Sequence, residues 1–247
     1  MTNTHEILNS ILENKINSFK SHNDLINKTY GEIEDFCYFQ LDEHLLVKLR
    51  DYLKKTSLTC LASSNKIGND YLILSDYKNS NKIKEIDDNL IHFKLTKCKV
   101  IEELHNFIRN KVKNYIKSPF SFVNTRAWVT KPNTTTVGPN KPHKDGFPPG
   151  HLKVMIYITP LSKDYGRFWI EKKILSDQKP GFCFVFKNSD FLHSGLPGHK
   201  FNRICLEVTI FRSFVNSSQF HNGHPNGRHY SDIKKPYQNI SALPKNL

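Results

Sequence analysis

Apolar positions in the first half of the chain recur at helical spacing, and from residue 121 onward they recur at strand spacing. In "THEILNSILENKINSF" (4–19), Ile7, Leu8, Ile11, Leu12 and Ile16 fall near one face, which predicts a short amphipathic helix. "LDEHLLVKLRDYLKK" (41–55) repeats the pattern through Leu45, Leu46, Leu49 and Leu53, with Asp42 and Glu43 near its start. "VIEELHNFIRNKVKNYI" (100–116) is the clearest helix, with Ile101, Leu104, Ile108, Val112 and Ile116 three or four residues apart and Pro119 ending it. Between these, "DYLILSDY" reads as a strand, and the Asn/Asp/Ser/Lys stretch around it to position 90 reads as loop.

The later runs are "SFVNTRAWVT", "LKVMIYIT", "GRFWIEK", "GFCFVFK" and "RICLEVTIFRS", all rich in β-branched and aromatic residues and separated by Pro and Gly. Short strands with such turns favour an antiparallel sandwich or barrel over a βαβ repeat, because the interleaved helices are missing. The expected class is mainly β with flanking helices (α+β), organised as one domain over 1–247. Residues 1–118 form a mixed, partly helical support, 119–212 the β core, and 213–247 a C-terminal wrap. Trp128 and Trp169 read as core residues. No internal repeat, P-loop, GxGxxG or GxSxG occurs.

Composition narrows the setting. The 247 residues are 38% hydrophobic and 24% charged, and no run approaches the roughly 20 apolar residues that span a bilayer. The first residues carry acids and no signal-type apolar run, and Cys37, Cys60, Cys98, Cys183 and Cys205 are scattered without a CxxC. A reduced, cytoplasmic protein is expected. Charge is unevenly placed: residues 1–90 hold 11 Lys/Arg against 14 Asp/Glu, whereas 91–247 hold 25 against 9. The basic part attracts anions without choosing among them. Nucleic acid is the less expected partner, since no basic helix, zinc finger, GXXG loop or RNP pattern accompanies the charge.

The candidate chemistry begins at "NKPHKDGFPPG" (140–150). On an extended segment His143 and Asp145 point to one face and Lys144 away, so imidazole and carboxylate can share one ion. "FVFKNSDFLHSGLP" places His193 after an apolar strand and a brief loop, two or three antiparallel strands beyond Asp145. Two histidines and one carboxylate make the facial triad of non-haem Fe(II) oxygenases, with open coordination positions for co-substrate and oxygen. Ten residues on, Arg203 opens a strand on which Arg203, Cys205, Glu207 and Thr209 share one face and Ile204, Leu206, Val208 and Ile210 the other. An arginine at the mouth of a buried strand calls for an anion, and a small dicarboxylate suits its fork. His221, His224 and His229 in "HNGHPNGRHY" have loose ligand spacing in a Gly/Pro/Asn loop and read as solvated.

H-K-D, His193 and Arg203 resemble the HxD…H…R pattern of the Fe(II)/2-oxoglutarate-dependent oxygenases. The surroundings, "HKDG…LKVMIYITPLSKDYGRFWI…LHSG…RICLEVT", look most like the phytanoyl-CoA dioxygenase-like branch, over about residues 120–212. The resemblance implies a double-stranded β-helix (jelly-roll, cupin-like) core with iron between its sheets. It implies His143, Asp145 and His193 as Fe(II) ligands, Arg203 as the holder of the distal carboxylate of 2-oxoglutarate, and O2 as second cosubstrate. Arg126 on the preceding strand and Tyr157 on "LKVMIYI", with Lys153 on the same face, are candidates for further cosubstrate contact. The implied reaction hydroxylates a C–H bond of a small, anionic or phosphorylated metabolite with release of succinate and CO2.

Two departures stand out. Cys205 takes the place where relatives often carry a Ser or Thr hydroxyl, for which Thr209 or Tyr157 could substitute. "RFWI" follows Gly166 where this branch has a small Gly-Pro turn. Asp145 itself argues against the related halogenases, which carry Gly or Ala there. Two other readings stay open at this level: a cupin-like metal-dependent hydrolase, lyase or isomerase that ignores 2-oxoglutarate, and a non-catalytic basic jelly-roll binding module. Oligomeric state is not legible.

Overall fold

The computed structural model describes residues 4–56, 58–61, 71–73, 91–93, 95–133, 140, 142–145, 149–171, 173–214 and 217–218, with only the backbone described for 4–16, 58–61, 71–73, 91–92 and 217–218. Three helices are found there: α1 (Thr4–Tyr30), α2 (Glu43–Lys55) and α3 (Lys99–Ile116). The strands are β1 (Phe36–Gln40), β2 (Leu58–Leu61), β3 (Tyr71–Ile73), β4 (Ile91–Phe93), β5 (Phe120–Thr130), β6 (His151–Tyr157) and β7 (Gly166–Ile170). They continue with β8 (Lys173–Leu175), β9 (Phe182–Phe186), β10 (His193–Pro197), β11 (Arg203–Arg212) and β12 (Ser217–Ser218). The 213–247 wrap and its three histidines lie almost wholly outside the described residues.

The strands form two sheets. The larger runs β1-β9-β6-β11-β5-β4-β2-β3, with β12 parallel to β5 and every other pairing antiparallel. The smaller is β10-β7-β8, also antiparallel. This is a mixed fold with a cupin-like, β-rich core, as the alternating patterns predict. Between Asp145 and His193 stand four strands, β6 to β9, one or two more than expected.

Side-chain alternation gives the larger sheet two unlike faces. One face, with Ala127, Val129, Val154, Ile156, Val185, Leu206, Val208 and Ile210, packs against Leu45, Leu46, Leu49 and Leu53 of α2 and Leu104, Ile108, Val112 and Ile116 of α3. Burying each such aliphatic side chain stabilises the fold by roughly 1.5–3 kcal/mol. The helices were legible because their stripes meet this face. The Asp42 side chain also caps α2, accepting the Leu45 amide at 2.7 Å. The other face carries the largely aromatic set Trp128, Tyr157, Phe182, Phe184 and Phe186 together with Met155, which meets Phe168 and Ile170 of the smaller sheet.

α1 runs eleven residues beyond the predicted end. Its second half is anchored by tertiary contact: Phe19 and Ile26 are buried, His22 stacks on Phe211, and the His22 ring bonds the Arg212 carbonyl region at 3.0 Å. Gly31, at φ 85°, then terminates it through Gly31 N–H to Asn27 C=O at 2.8 Å. Among the described residues no helix is long and apolar enough to cross a membrane, and Cys37, Cys98, Cys183 and Cys205 are free thiols.

Candidate metal centre

His143 and His193 are brought together by the backbone. Their amides and carbonyls exchange both hydrogen bonds, at 3.0 and 2.9 Å, as an isolated antiparallel bridge. His193 therefore opens β10 rather than sitting in a loop, and the HxD segment lies beside it as a further, irregular neighbour of the smaller sheet. The Asp145 amide donates to the Asn188 carbonyl at 3.0 Å, pinning the segment to the loop after β9. One donor atom from each of His143, Asp145 and His193 lies within 4.8 Å of the others. Asp145 and His193 are buried and His143 is partly exposed. The sequence-predicted triad is thus one cluster.

The donors suit a metal. His193 Nδ1 bonds the Phe191 carbonyl at 2.9 Å, which makes Nδ1 the protonated nitrogen and leaves the Nε2 lone pair free to ligate. Nε2 is buried with no hydrogen-bond partner among the described residues. Burial, reinforced by the Lys153 ammonium and opposed by Asp145, lowers the His193 pKa to about 3, so the ring is neutral at physiological pH. Phe168 and Phe186 pack on this ring with centroids at 5.8 and 4.9 Å. The "RFWI" departure thus places an aromatic wall beside this histidine.

Asp145 is the buried end of a largely buried chain of alternating charge. Its Oδ2 accepts from Lys153 Nζ and, at 2.9 Å, from Asn188 Nδ2. Lys153 also reaches Glu207 Oε2 at 3.1 Å, which accepts from Arg126 Nη2 at 2.8 Å. Arg126 lies over the Trp128 ring at 5.2 Å. Burial pushes the Glu207 carboxyl up, but Arg126 and Lys153 together outweigh it and hold it at about 2. The sequence places Lys153 on the face of Tyr157 and Glu207 on the face of Arg203, with no link to the triad. Only the register, which sets Glu207 opposite both Arg126 and Met155 and Thr209 opposite Lys153, joins them to the triad.

Arg203 is a contrasting cation. It is 3% exposed and no carboxylate pairs with it among the described residues. Nη1 donates to the Arg167 and Leu196 carbonyls at 3.1 and 2.9 Å, and Nη2 to Thr130 Oγ1 at 3.1 Å. Nε is buried with no hydrogen-bond partner among the described residues. The guanidinium rests on Gly195, where a Cβ would stand 2.5 Å from Nη2. Gly195 is two residues beyond His193 on β10, roughly 7 Å along the strand.

The hydroxyl beside Arg203 is Thr130, directly opposite it on β5. Thr209 is excluded from that role: six residues along β11, about 20 Å away, it faces Lys153. The Tyr157 ring stacks on Phe184 at 6.3 Å and 8°. Burial raises its pKa well above the ordinary value against the pull of Arg203, so it remains a hydroxyl donor. Burial likewise pushes the Cys205 thiol up to about 12. Thr130 was missed because a strand residue is assigned to a site only once its cross-strand partner is known.

No family model matches the chain, and no curated protein matches it either. Solved structures do. The non-haem α-ketoglutarate-dependent epimerase SnoN of nogalamycin biosynthesis superposes with a TM-score of 0.51 at 10% identity, covering 79% of this chain and 83% of its own. The non-haem α-ketoglutarate-dependent carbocyclase SnoK of the same biosynthesis superposes at 0.50 and 10% identity, covering 76% and 85%. At such identity the likeness is one of fold. The chain thus shares the fold of these two α-ketoglutarate-dependent enzymes, and it gathers two histidines and one carboxylate into a cluster that could hold a metal ion.

Proposed function

We propose that the protein is an Fe(II)- and 2-oxoglutarate-dependent dioxygenase that hydroxylates a C–H bond of a small, anionic or phosphorylated metabolite. The observation that carries this reading is the pairing of two features between the sheets: a neutral, buried His193 Nε2 beside His143 and Asp145, and a buried Arg203 with no acid beside it among the described residues. In this reading the sheets are the halves of a double-stranded β-helix. β5-β11-β6-β9 faces the His143 segment, β10, β7 and β8, an arrangement supported by the strand order and the His143–His193 bridge. Within the superfamily we assign the chain to the phytanoyl-CoA dioxygenase-like branch on its HKD…LHSG…RICLEVT pattern, and we place it in the cytoplasm.

Each residue then has a physical task. His143, Asp145 and His193 hold Fe(II), which when bound supplies oxygen activation coupled to oxidative decarboxylation of 2-oxoglutarate. Arg203 binds the distal carboxylate of 2-oxoglutarate, with its fork oriented by two backbone carbonyls and Thr130. Tyr157 offers its hydroxyl to the same carboxylate. Arg126 contributes positive charge from its Glu207 pair at the opposite pole. Phe168, Phe184 and Phe186 exclude water. The substrate's anionic character is supported by the basic balance of residues 91–247.

Anaerobic addition of Fe(II) and then 2-oxoglutarate to the metal-free protein is expected to develop the weak visible charge-transfer band of the chelate, and oxygen should then yield succinate. A protein that binds the metal but shows neither the band nor succinate would be a metal-dependent cupin of another chemistry.

A further inference from the structure

The buried neighbours of Asp145 bear on how it can donate. Its Oδ2 accepts from two side chains at once, Lys153 Nζ and Asn188 Nδ2, and lies 3.7 Å from His193 Nε2, while Oδ1 stands 3.5 Å from His143 Nε2. Lys153 is 4% exposed and Asn188 fully buried, so neither contact is a solvent-averaged surface pairing. Lys153 has little freedom to leave. Glu207 holds it from the other side, Glu207 is held by Arg126, and its position on β6 is fixed between Thr209 of β11 and Phe186 of β9. Asn188 is positioned independently, by its own carbonyl's bond to the Asp145 amide.

A carboxylate beside a divalent ion can donate through one oxygen or both. Two donors on Oδ2, one of them cationic, engage its lone pairs and put a positive charge beside that oxygen, which disfavours its use as a second metal ligand. We infer that Lys153 is a positioning residue that, with Asn188, restricts Asp145 to donation through Oδ1 and so preserves the third open coordination position at the centre. This rests on the metal-centre reading above. The same ammonium repels the metal, so the arrangement trades metal affinity for an open site. Structurally, Lys153 therefore belongs to the metal centre rather than to the 2-oxoglutarate contacts that its strand first suggested.

The test uses Co(II) as a spectroscopic stand-in, titrated into the metal-free full-length protein and followed by its visible d–d bands, with 2-oxoglutarate then titrated into the Co(II) form. One equivalent of Co(II) bound by the wild type, lost in His193→Ala, establishes the centre itself. Failure there would overturn the metal-centre reading and the inference with it. With the centre established, Lys153→Met is expected to bind Co(II) about tenfold more tightly and 2-oxoglutarate about tenfold more weakly, with altered band intensity. Lys153→Arg, which keeps the cation and a donor, should restore the wild-type pattern. Unchanged 2-oxoglutarate affinity in a folded Lys153→Met, or metal affinity that falls together with thermal stability, overturns the inference. Should Lys153→Met fail to fold, Asn188→Ala reads the same oxygen. A smaller shift in the same two directions supports the inference, and no shift overturns it.

Discussion

On one face of β11, Ile204, Leu206, Val208 and Ile210 meet the helices; on the other, Arg203, Cys205, Glu207 and Thr209 look into the space between the sheets. Both faces are buried, yet their energetics are opposite. The helix-facing side gains stability from every apolar contact and accommodates the polar pair His105 Nε2 with Thr125 Oγ1, at 2.7 Å, over the Phe122 ring. The inward side holds four charges in a chain, Asp145, Lys153 and Glu207 buried and Arg126 partly so, and a fifth, the buried Arg203, with only neutral acceptors among the described residues. Burial of ions is a poor source of stability. A fold that keeps them inside one face is spending stability on a site, and the comparison separates what holds the molecule together from what it does.

That division can be broken in four ways. The largest effect should come from His143→Ala or His193→Ala, with Asp145→Ala behaving alike: loss of bound metal and of 2-oxoglutarate turnover, checked by metal analysis and succinate release, with circular dichroism unchanged. Next is the helix-facing side. Leu49→Ala, at a site with no exposure, is expected to lower unfolding stability by about 2–5 kcal/mol in chemical denaturation while leaving 2-oxoglutarate affinity alone. If it altered the affinity instead, the two faces would not be separable.

Arg203→Met should raise the 2-oxoglutarate KM roughly 100-fold, the scale of removing one partner of a buried charge-assisted bond, with a moderate loss of stability from the Arg167 and Leu196 carbonyls and Thr130 Oγ1 that lose their donor. An unchanged KM moves the anchor to another residue. The smallest effect concerns pH. Burial, with Arg109 nearby, lowers the His105 pKa to about 4 from an ordinary 6.5. The unfolded state binds the extra proton first, so this contribution to stability is complete above about pH 6.5 and declines as pH falls toward 4. By pH 5 the loss is about 2 kcal/mol. Comparing melting temperatures of wild type and His105→Gln between pH 7.5 and 5 isolates it; parallel curves would remove His105 from the account.

Local pattern determined a good deal of this protein. Three-and-four spacing marked α2 and α3 because amphipathic stripes are a property of contiguous residues, and alternation marked β5, β6, β7, β9 and β11 for the same reason. The spacing His143-x-Asp145 and the later His193 were legible as a metal set, since ligand chemistry is written in residue type. What only the tertiary structure decided lies across strands. The length of α1 depends on where Phe19 and Ile26 are buried. β10 exists as a strand because His193 bridges to His143 and pairs with Ile170. Thr130 rather than Thr209 meets Arg203, and Lys153, Glu207 and Arg126 are bound into one charged chain with Asp145, through register alone. A single residue's slip in that register would turn each of these side chains to the opposite face. Sequence determined which side chains could do the chemistry; the pairing of β11 with β5 and β6 decided which of them meet.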